Sequence, residues 1–363
     1  MSTSSGNNNA AGLVLLSESL RIANDPEALL ALSLEEKWGD GLPLIPPTDA
    51  RIAAMLAATP LASTHIVADL PPKMGAATVE LIAINAVMAG CLPKHLPLLI
   101  AAIEALAKPD YNANGLCTTT SPVASMMIVN GPLRDDMDID YRAGCLGGAG
   151  GRGSVTLGRA LQLCLRNIGG MRAGESSRTV HGQPARVAGL CVGEWEERSD
   201  WTTLAERRGY TREQEVVTVH GGKGTVTIND PYANDHDRAL LIAKSMAAPM
   251  GNLYVSVAWR GETVLLVNPM WAERFAQTFP KIEALQEYLF EHCWQPIEFW
   301  PEASQNLLRE NERVDSRGRV YAHTSPDRIV PVVCGGLGNL HSTILPSWGE
   351  SEMQSSATRR PAG

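Results

Sequence analysis

The sequence has no run of Lys or Arg, and its formal charge is −8, so neither a nucleic-acid backbone nor an anionic membrane surface is an expected partner. It also lacks a Cys-x-x-Cys pair. Its seven cysteines, at positions 91, 117, 145, 164, 191, 293 and 334, are odd in number and sit mostly in apolar surroundings. That is the usage of reduced thiols in a cytosolic core, and it excludes a zinc ribbon and a thioredoxin-type dithiol. Long apolar runs are missing as well: the most apolar stretch, Leu81 to Leu106, is broken by Pro93, Lys94, His95 and Pro97, which leaves neither part long enough to cross a bilayer. No basic residue precedes the first apolar stretch, so the Ser/Asn/Gly-rich segment Met1 to Gly12 reads as a disordered tail and not as a secretory signal. The polar, aperiodic end, Ser351 to Gly363, is expected to be disordered too. These absences predict a cytoplasmic protein whose partners are small molecules or copies of itself.

What remains is a chain of 363 residues, long enough for a large core in two lobes. The patterns predict an α/β fold, with helices packed on the faces of mixed sheets and with lobes over residues 13–210 and 211–350. Two short helices are expected between Leu13 and Leu34, one of them starting at Asp25-Pro26. Further helices are expected at Arg51 to Ala58, Gly75 to Gly90 and Pro97 to Ala107, and strands at Thr64 to Asp69, Val123 to Val129, Val187 to Val192 and Ile329 to Val333. Pro331 within the last strand points to a sheet edge or a bulge. Glu215 to Ile228 alternates around Gly221-Gly-Lys-Gly224 and reads as a hairpin, as does Leu253 to Val267.

The longest glycine-rich loop, Gly144 to Gly153, opens into a helix that begins at Ser154. Glycines free the backbone to turn N–H groups inward, and a helix start adds unpaired N–H groups and partial positive charge. Gly148, Gly150, Arg152, Gly153 and Ser154, with Ser154 as the cap, therefore form a candidate anion or oxyanion cradle; close helix packing is the alternative. The G-x-G-x-x-G within it lacks the strand immediately before and the acid-ended strand after that a dinucleotide fingerprint requires, and no Lys follows it as a P-loop demands. No cofactor is implied. Asp235-His236-Asp237 reads as a helix cap and no metal is expected, because no second ligand cluster exists at a recognisable spacing.

Candidate site residues lie where strands or turns stop. Asp40 sits in the Pro- and Gly-rich turn Trp38 to Thr48, either as a turn residue or as a proton-transfer carboxylate. His95 is a capping histidine or a catalytic one. Asn130 ends a buried strand. Glu194 follows another, in a cluster of three carboxylates around Trp195 and before Trp201, where desolvation would raise a carboxyl pKa. Cys334, Gly336, His341 and Ser342 follow the strand at Ile329 to Val333. Three such stops, Val129-Asn-Gly-Pro, Val267-Asn-Pro and Val333-Cys-Gly-Gly, predict site loops gathered at one sheet edge.

Trp38-Gly-Asp-Gly-Leu-Pro, Val129-Asn-Gly-Pro, the glycine loop with its Gly-Arg-Ala-Leu helix, Glu194-x-Glu-Glu and Gly335-Gly-x-Gly-x-x-His-Ser together resemble a bacterial family loosely related to the UGSC-domain proteins. The Cys/Sec-Gly-Ser-Cys signature of that domain is absent here, and the resemblance implies no particular activity. The residues themselves favour an enzyme of hydrolase or lyase type that holds a small anionic or carbonyl-bearing substrate in the glycine cradle, with His341 and Glu194 or Asp40 moving protons. The alternatives are a thiol enzyme using Cys334 or Cys145 and a non-catalytic small-anion binding protein.

Overall fold

A computed structural model describes residues 15–147, 151–229, 234–248, 260–338 and 341–360. The protein is an α/β protein. In the first part of the chain come α1 (Pro26–Glu35), α2 (Asp49–Leu56), β1 (Ile66–Leu70), β2 (Gly75–Thr78), α3 (Val79–Ala89), α4 (Leu96–Leu106), α5 (Ala113–Thr118), β3 (Ala124–Asn130), α6 (Arg152–Asn167), β4 (Cys191–Gly193), α7 (Leu204–Arg207) and β5 (Val216–Gly222). They are followed by β6 (Val226–Asn229), α8 (Asp235–Ala247), β7 (Thr263–Val267), α9 (Pro269–Thr278), α10 (Ile282–His292), β8 (Trp294–Pro296), α11 (Glu302–Glu310), β9 (Arg319–Tyr321), β10 (Ile329–Val333), β11 (His341–Leu345) and β12 (Gln354–Ala357). Among the described residues no helix is long and apolar enough to cross a membrane.

Two four-stranded sheets organise these elements, in the orders β4-β3-β5-β12 and β10-β7-β11-β6. Their strand directions match one for one. In each, the first two strands are parallel and the next two pairings antiparallel. Alternation along the strands then sets the layers. Met127 and Val129 of β3 join Val217 and Val219 of β5 in a core with α3, α4 and α6. Leu265 and Val267 of β7 join Ile329 and Val333 of β10 in a core with α8, α9 and α10. The opposite faces, Met126 and Ile128 on one sheet and Val264, Leu266, Val330 and Val332 on the other, share a third core. The molecule is thus four layers deep: helices, sheet, sheet, helices.

The connections explain why one expected feature is absent. Residues Glu215 to Ile228 do not form a hairpin, because β5 stays in the first sheet and β6 crosses to the second. The return passage, from β11 to β12, runs the other way. The two crossings lie side by side: Lys223 N–H donates to the Pro346 carbonyl at 2.8 Å, Trp348 N–H donates to the Gly221 carbonyl at 2.8 Å, and Gly222 bridges Ser347. The Gly-Gly-Lys-Gly run serves this close crossing, and each sheet completes the other.

Other corrections have local causes. Residues 15–23 are not helical; the backbone N–H groups of Leu16 and Ser17 are held by the buried Glu80 carboxylate, leaving α1 with its Asp25 cap and Pro26 as the one helix there. The helix expected from Gly75 begins later, at Val79, because the Thr78 hydroxyl caps it by accepting from Leu81 N–H at 3.2 Å. The strand expected at Val187 to Val192 shrinks to Cys191–Gly193. The tail expected after Ser351 instead supplies β12, whose pairing with β5 includes a Ser355–Thr218 hydroxyl contact of 2.7 Å. The chain changes sheets between Gly222 and Val226, beyond the lobe boundary expected at residue 210. Pro331 does lie in an edge strand, β10. The N-terminal tail, Met1 to Gly12, and the strand expected at Leu253 to Trp259 fall outside the described residues.

Candidate active site

The carboxyl ends of the two parallel pairs meet. Register places Asn130 at the end of β3 beside Glu194, the residue after β4, and places Asn268, after β7, beside Cys334, the residue after β10. The sheets are stitched together here: Trp195 N–H donates to the Val333 carbonyl at 2.6 Å, and Gly335 N–H donates to the Tyr141 carbonyl at 2.8 Å. Asn130 and Glu194 end one sheet and Asn268 and Cys334 the other, so the stops expected at the edge of one sheet are divided between two sheets whose carboxyl ends meet.

Around Asn130 the structure builds a buried polar network. Its amide donates to Glu194 Oε2 at 2.7 Å and Glu196 Oε1 at 2.9 Å, and Leu204 N–H donates to Glu194 Oε2 at 2.8 Å. Arg134, 2% exposed, donates to the Glu194 carbonyl and to Glu197, and its guanidinium stands 3.8 Å from Glu196. Burial pushes the Glu194 carboxyl above its ordinary range, favouring the neutral, proton-holding form.

Two thiols stand beside this network. Cys145 lies in the turn after Tyr141, where its N–H donates to the Arg142 carbonyl at 3.1 Å, and its thiol is hydrogen-bonded to that of Cys334. Both residues are buried. The bond from Cys334 draws the Cys145 thiol below its usual value, while the same contact and burial drive Cys334 well above. The two shifts run in opposite directions, so of the two thiols Cys145 is the one more readily deprotonated. Over the same edge lies an alternating stack. Tyr141 and Trp195 meet edge to face at 5.7 Å, and the Arg142 guanidinium sits 4.9 Å from the Tyr141 ring and 5.7 Å from the Trp195 ring.

The other expected site residues are placed elsewhere or otherwise used. The helix after the glycine loop starts at Arg152 with Gly151 as its cap, not at Ser154. Two of its helix-start donors are taken: Gly153 and Ser154 N–H groups point at the Asp138 carbonyl, at 3.0 and 3.3 Å. A Cβ on Gly153 would come within 1.9 Å of the Met137 carbonyl oxygen, and one on Gly151 within 2.1 Å of that of Asp138. Close packing against residues 137 and 138 thus accounts for Gly151 and Gly153, and the Asp138 carbonyl occupies the Gly153 and Ser154 donors. Gly148 and Gly150 lie outside the described residues. The Ser154 hydroxyl accepts from Asp140 N–H at 2.8 Å, and Arg152 donates to the Gly90 carbonyl at 2.9 Å, on the side of His95.

Asp40 is a structural carboxylate. Both of its oxygens are held at 2.8 Å by the Arg159 guanidinium, and Oδ1 also accepts from Leu42 N–H. His95 is a buried cap: its Nδ1 accepts from Leu92 N–H at 3.1 Å, and burial lowers its pKa to about 4. His341 is exposed at the start of β11, with its carbonyl bound by the Asn268 amide at 2.6 Å. Among the described residues no hydrogen bond or ion pair joins its ring to a carboxylate. Ser342 is buried next to it, and Gly336 packs its turn against Ala143. No cluster of three or more His, Cys, Asp or Glu suited to a metal ion occurs among the described residues.

The sequence offers Glu196 only as one of a cluster in which Glu194 is preferred, and it does not mark Arg134 or the Tyr141–Arg142–Trp195 stack. Glu196 stands in a carboxylate run that reads equally as a solvated face, and Arg134 belongs to a charged connection with no periodicity to mark it as buried. No protein-family model matches the chain, and no curated protein is significantly similar to it.

Proposed function

We propose that the protein is a thiol-dependent enzyme of hydrolase or lyase type, which attacks an electrophilic carbon of a small carbonyl-bearing metabolite with the Cys145 sulfur. The observation that carries this reading is the meeting of Cys145 and Cys334, far apart in sequence, at the joined carboxyl ends of both parallel strand pairs. The thiolate is the reactive form of cysteine, and a hydrogen bond from a thiol that stays protonated stabilises that form. In hydrolysis the Cys145 sulfur would form a bond to the carbonyl carbon, the bond to the leaving group would break, and a proton would pass to that group. Water would then cleave the thioester and restore the thiol. Glu194, favoured in its neutral form beside Cys334, is the nearby proton store. This reading rests on the thiol pair and not on the glycine cradle, in which the Gly153 and Ser154 donors are taken by the Asp138 carbonyl.

Mass spectrometry after limited treatment with iodoacetamide tests it. Cys145 is expected to be alkylated ahead of the other cysteines, and Cys334→Ala to slow that reaction by removing the hydrogen bond that stabilises the thiolate. Uniform labelling of all seven cysteines, or a Cys145 that reacts no faster than Cys164, would sink the proposal.

A further inference from the structure

Cys145 is three residues from a cation fixed by aromatic rings. The Arg142 guanidinium rests against the Tyr141 and Trp195 rings, and Nη2 donates to the Tyr141 hydroxyl at 2.8 Å. Its backbone is fixed too, because the Arg142 carbonyl accepts the Cys145 N–H. Two other guanidiniums join the stack, Arg134 at 5.0 Å from the Tyr141 ring and Arg198 at 5.8 Å from the Trp195 ring. They differ in how they are used. Arg134 is buried among Glu194, Glu196 and Glu197, and Arg198 is held by Glu273. Among the described residues Arg142 has a single carboxylate partner, Asp135, at 3.2 Å, and the side chains are 60% and 66% exposed. An ion pair that open to water is weak and readily exchanged, while ring faces hold a guanidinium without using its N–H edge.

We infer that Arg142 is the specificity-determining residue of the thiol site, and that it selects substrates bearing a carboxylate next to the electrophilic carbon. An incoming carboxylate takes the place of Asp135 on the guanidinium edge, and its reactive carbon is thereby delivered to the Cys145 turn. The planar, two-pronged guanidinium matches a carboxylate better than an ammonium would. This inference rests on Cys145 being the nucleophile.

Two alkylating reagents of nearly equal size separate the inference from that premise. Iodoacetate carries a carboxylate beside its reactive carbon, and iodoacetamide carries a neutral amide. In both, the Cys145 sulfur bonds to the CH2 carbon and iodide leaves. Cys145 alkylation rates are measured by peptide mass spectrometry at low salt, for the wild-type protein, Arg142→Ala and Arg142→Lys, and are expressed as the ratio of iodoacetate to iodoacetamide. Removing the guanidinium is expected to lower that ratio about tenfold, as electrostatic guidance of a charged reactant would, with Arg142→Lys in between and the iodoacetamide rate nearly unchanged. A structural role alone would change both rates together. A ratio equal in the wild-type protein and Arg142→Ala overturns the inference while leaving the thiol reading standing. A Cys145 that reacts with neither reagent overturns both.

Discussion

The two sheets repeat one strand plan, yet their carboxyl ends are furnished in opposite ways. At the first, Asn130 faces Glu194 amid Glu196 and Arg134, and every partner is buried and hydrogen-bonded. At the second, Asn268 faces Cys334, spends its amide on the His341 carbonyl and caps α9 through Trp271 N–H. The same backbone position thus carries a buried ionic network on one side and a thiol on the other. Such a network fixes geometry, and its charges are costly to disturb. A thiol beside it inherits a defined position and a polarised environment at little structural cost, which suits chemistry.

The largest contrast is expected from truncating each end in turn. Arg134→Ala would strand the buried Glu196 carboxylate and leave the Glu194 carbonyl without its donor, and is expected to destabilise the fold by about 4 kcal/mol in urea titrations, the range for breaking a buried ion pair. Cys334→Ala, at the matching end, should cost about 1 kcal/mol. Equal losses would mean that the two ends are not differently loaded.

Acid is expected to weaken the junction between the two sheets. His220 lies between the sheets, its ring nitrogen 3.1 Å from the Leu345 carbonyl, and burial lowers its pKa to about 4. The unfolded chain takes up that proton near pH 6.5 and the folded one does not, so stability is full above pH 6.5 and falls as pH drops toward 4. At pH 5 the loss from this residue is about 2 kcal/mol, from about 1.5 units at 1.36 kcal/mol each. His95 acts in the same direction and window. Glu194 and Glu215, whose pKa values burial raises, act in the opposite direction. Stability is expected to be lower at pH 5 than at pH 7 in urea titrations, and His220→Gln to reduce the drop.

Asp40→Asn, outside both ends, should cost about 2 kcal/mol through the lost charge-assisted contact with Arg159 and leave the Cys145 alkylation rate unchanged. A slowed thiol would return Asp40 to the site. The smallest stability effect is expected for Glu194→Gln, within about 1 kcal/mol of wild type, because Gln keeps the oxygen that Asn130 and Leu204 N–H bind and resembles the neutral carboxyl. Turnover, by contrast, should fall wherever Glu194 supplies the proton.

Several elements are legible in the residues alone. Asp25-Pro26 announces a helix start, Asn130-Gly-Pro the end of a buried strand, Pro331 an edge, and Glu194 a buried carboxyl, because each rests on the few residues that make the local geometry. The glycine loop is equally visible, but its role is not. Whether a helix start faces a ligand or its own chain depends on what arrives there. What arrives is the Asp138 carbonyl, which accepts from Gly153 and Ser154 N–H, while the Ser154 hydroxyl turns away to accept from Asp140 N–H.

The sequence by itself determined the alternation of helix and strand, the positions at which strands stop, and which residues of chemical interest follow those stops. Only the tertiary structure decided that β5 and β6 part company, that the last strand returns to the first sheet, and that Cys145 meets Cys334 beside Glu194. The physical reason is range. Local conformation depends on steric and hydrogen-bonding preferences within a few residues, whereas strand crossing and thiol contact follow from how two complete apolar faces are buried against each other.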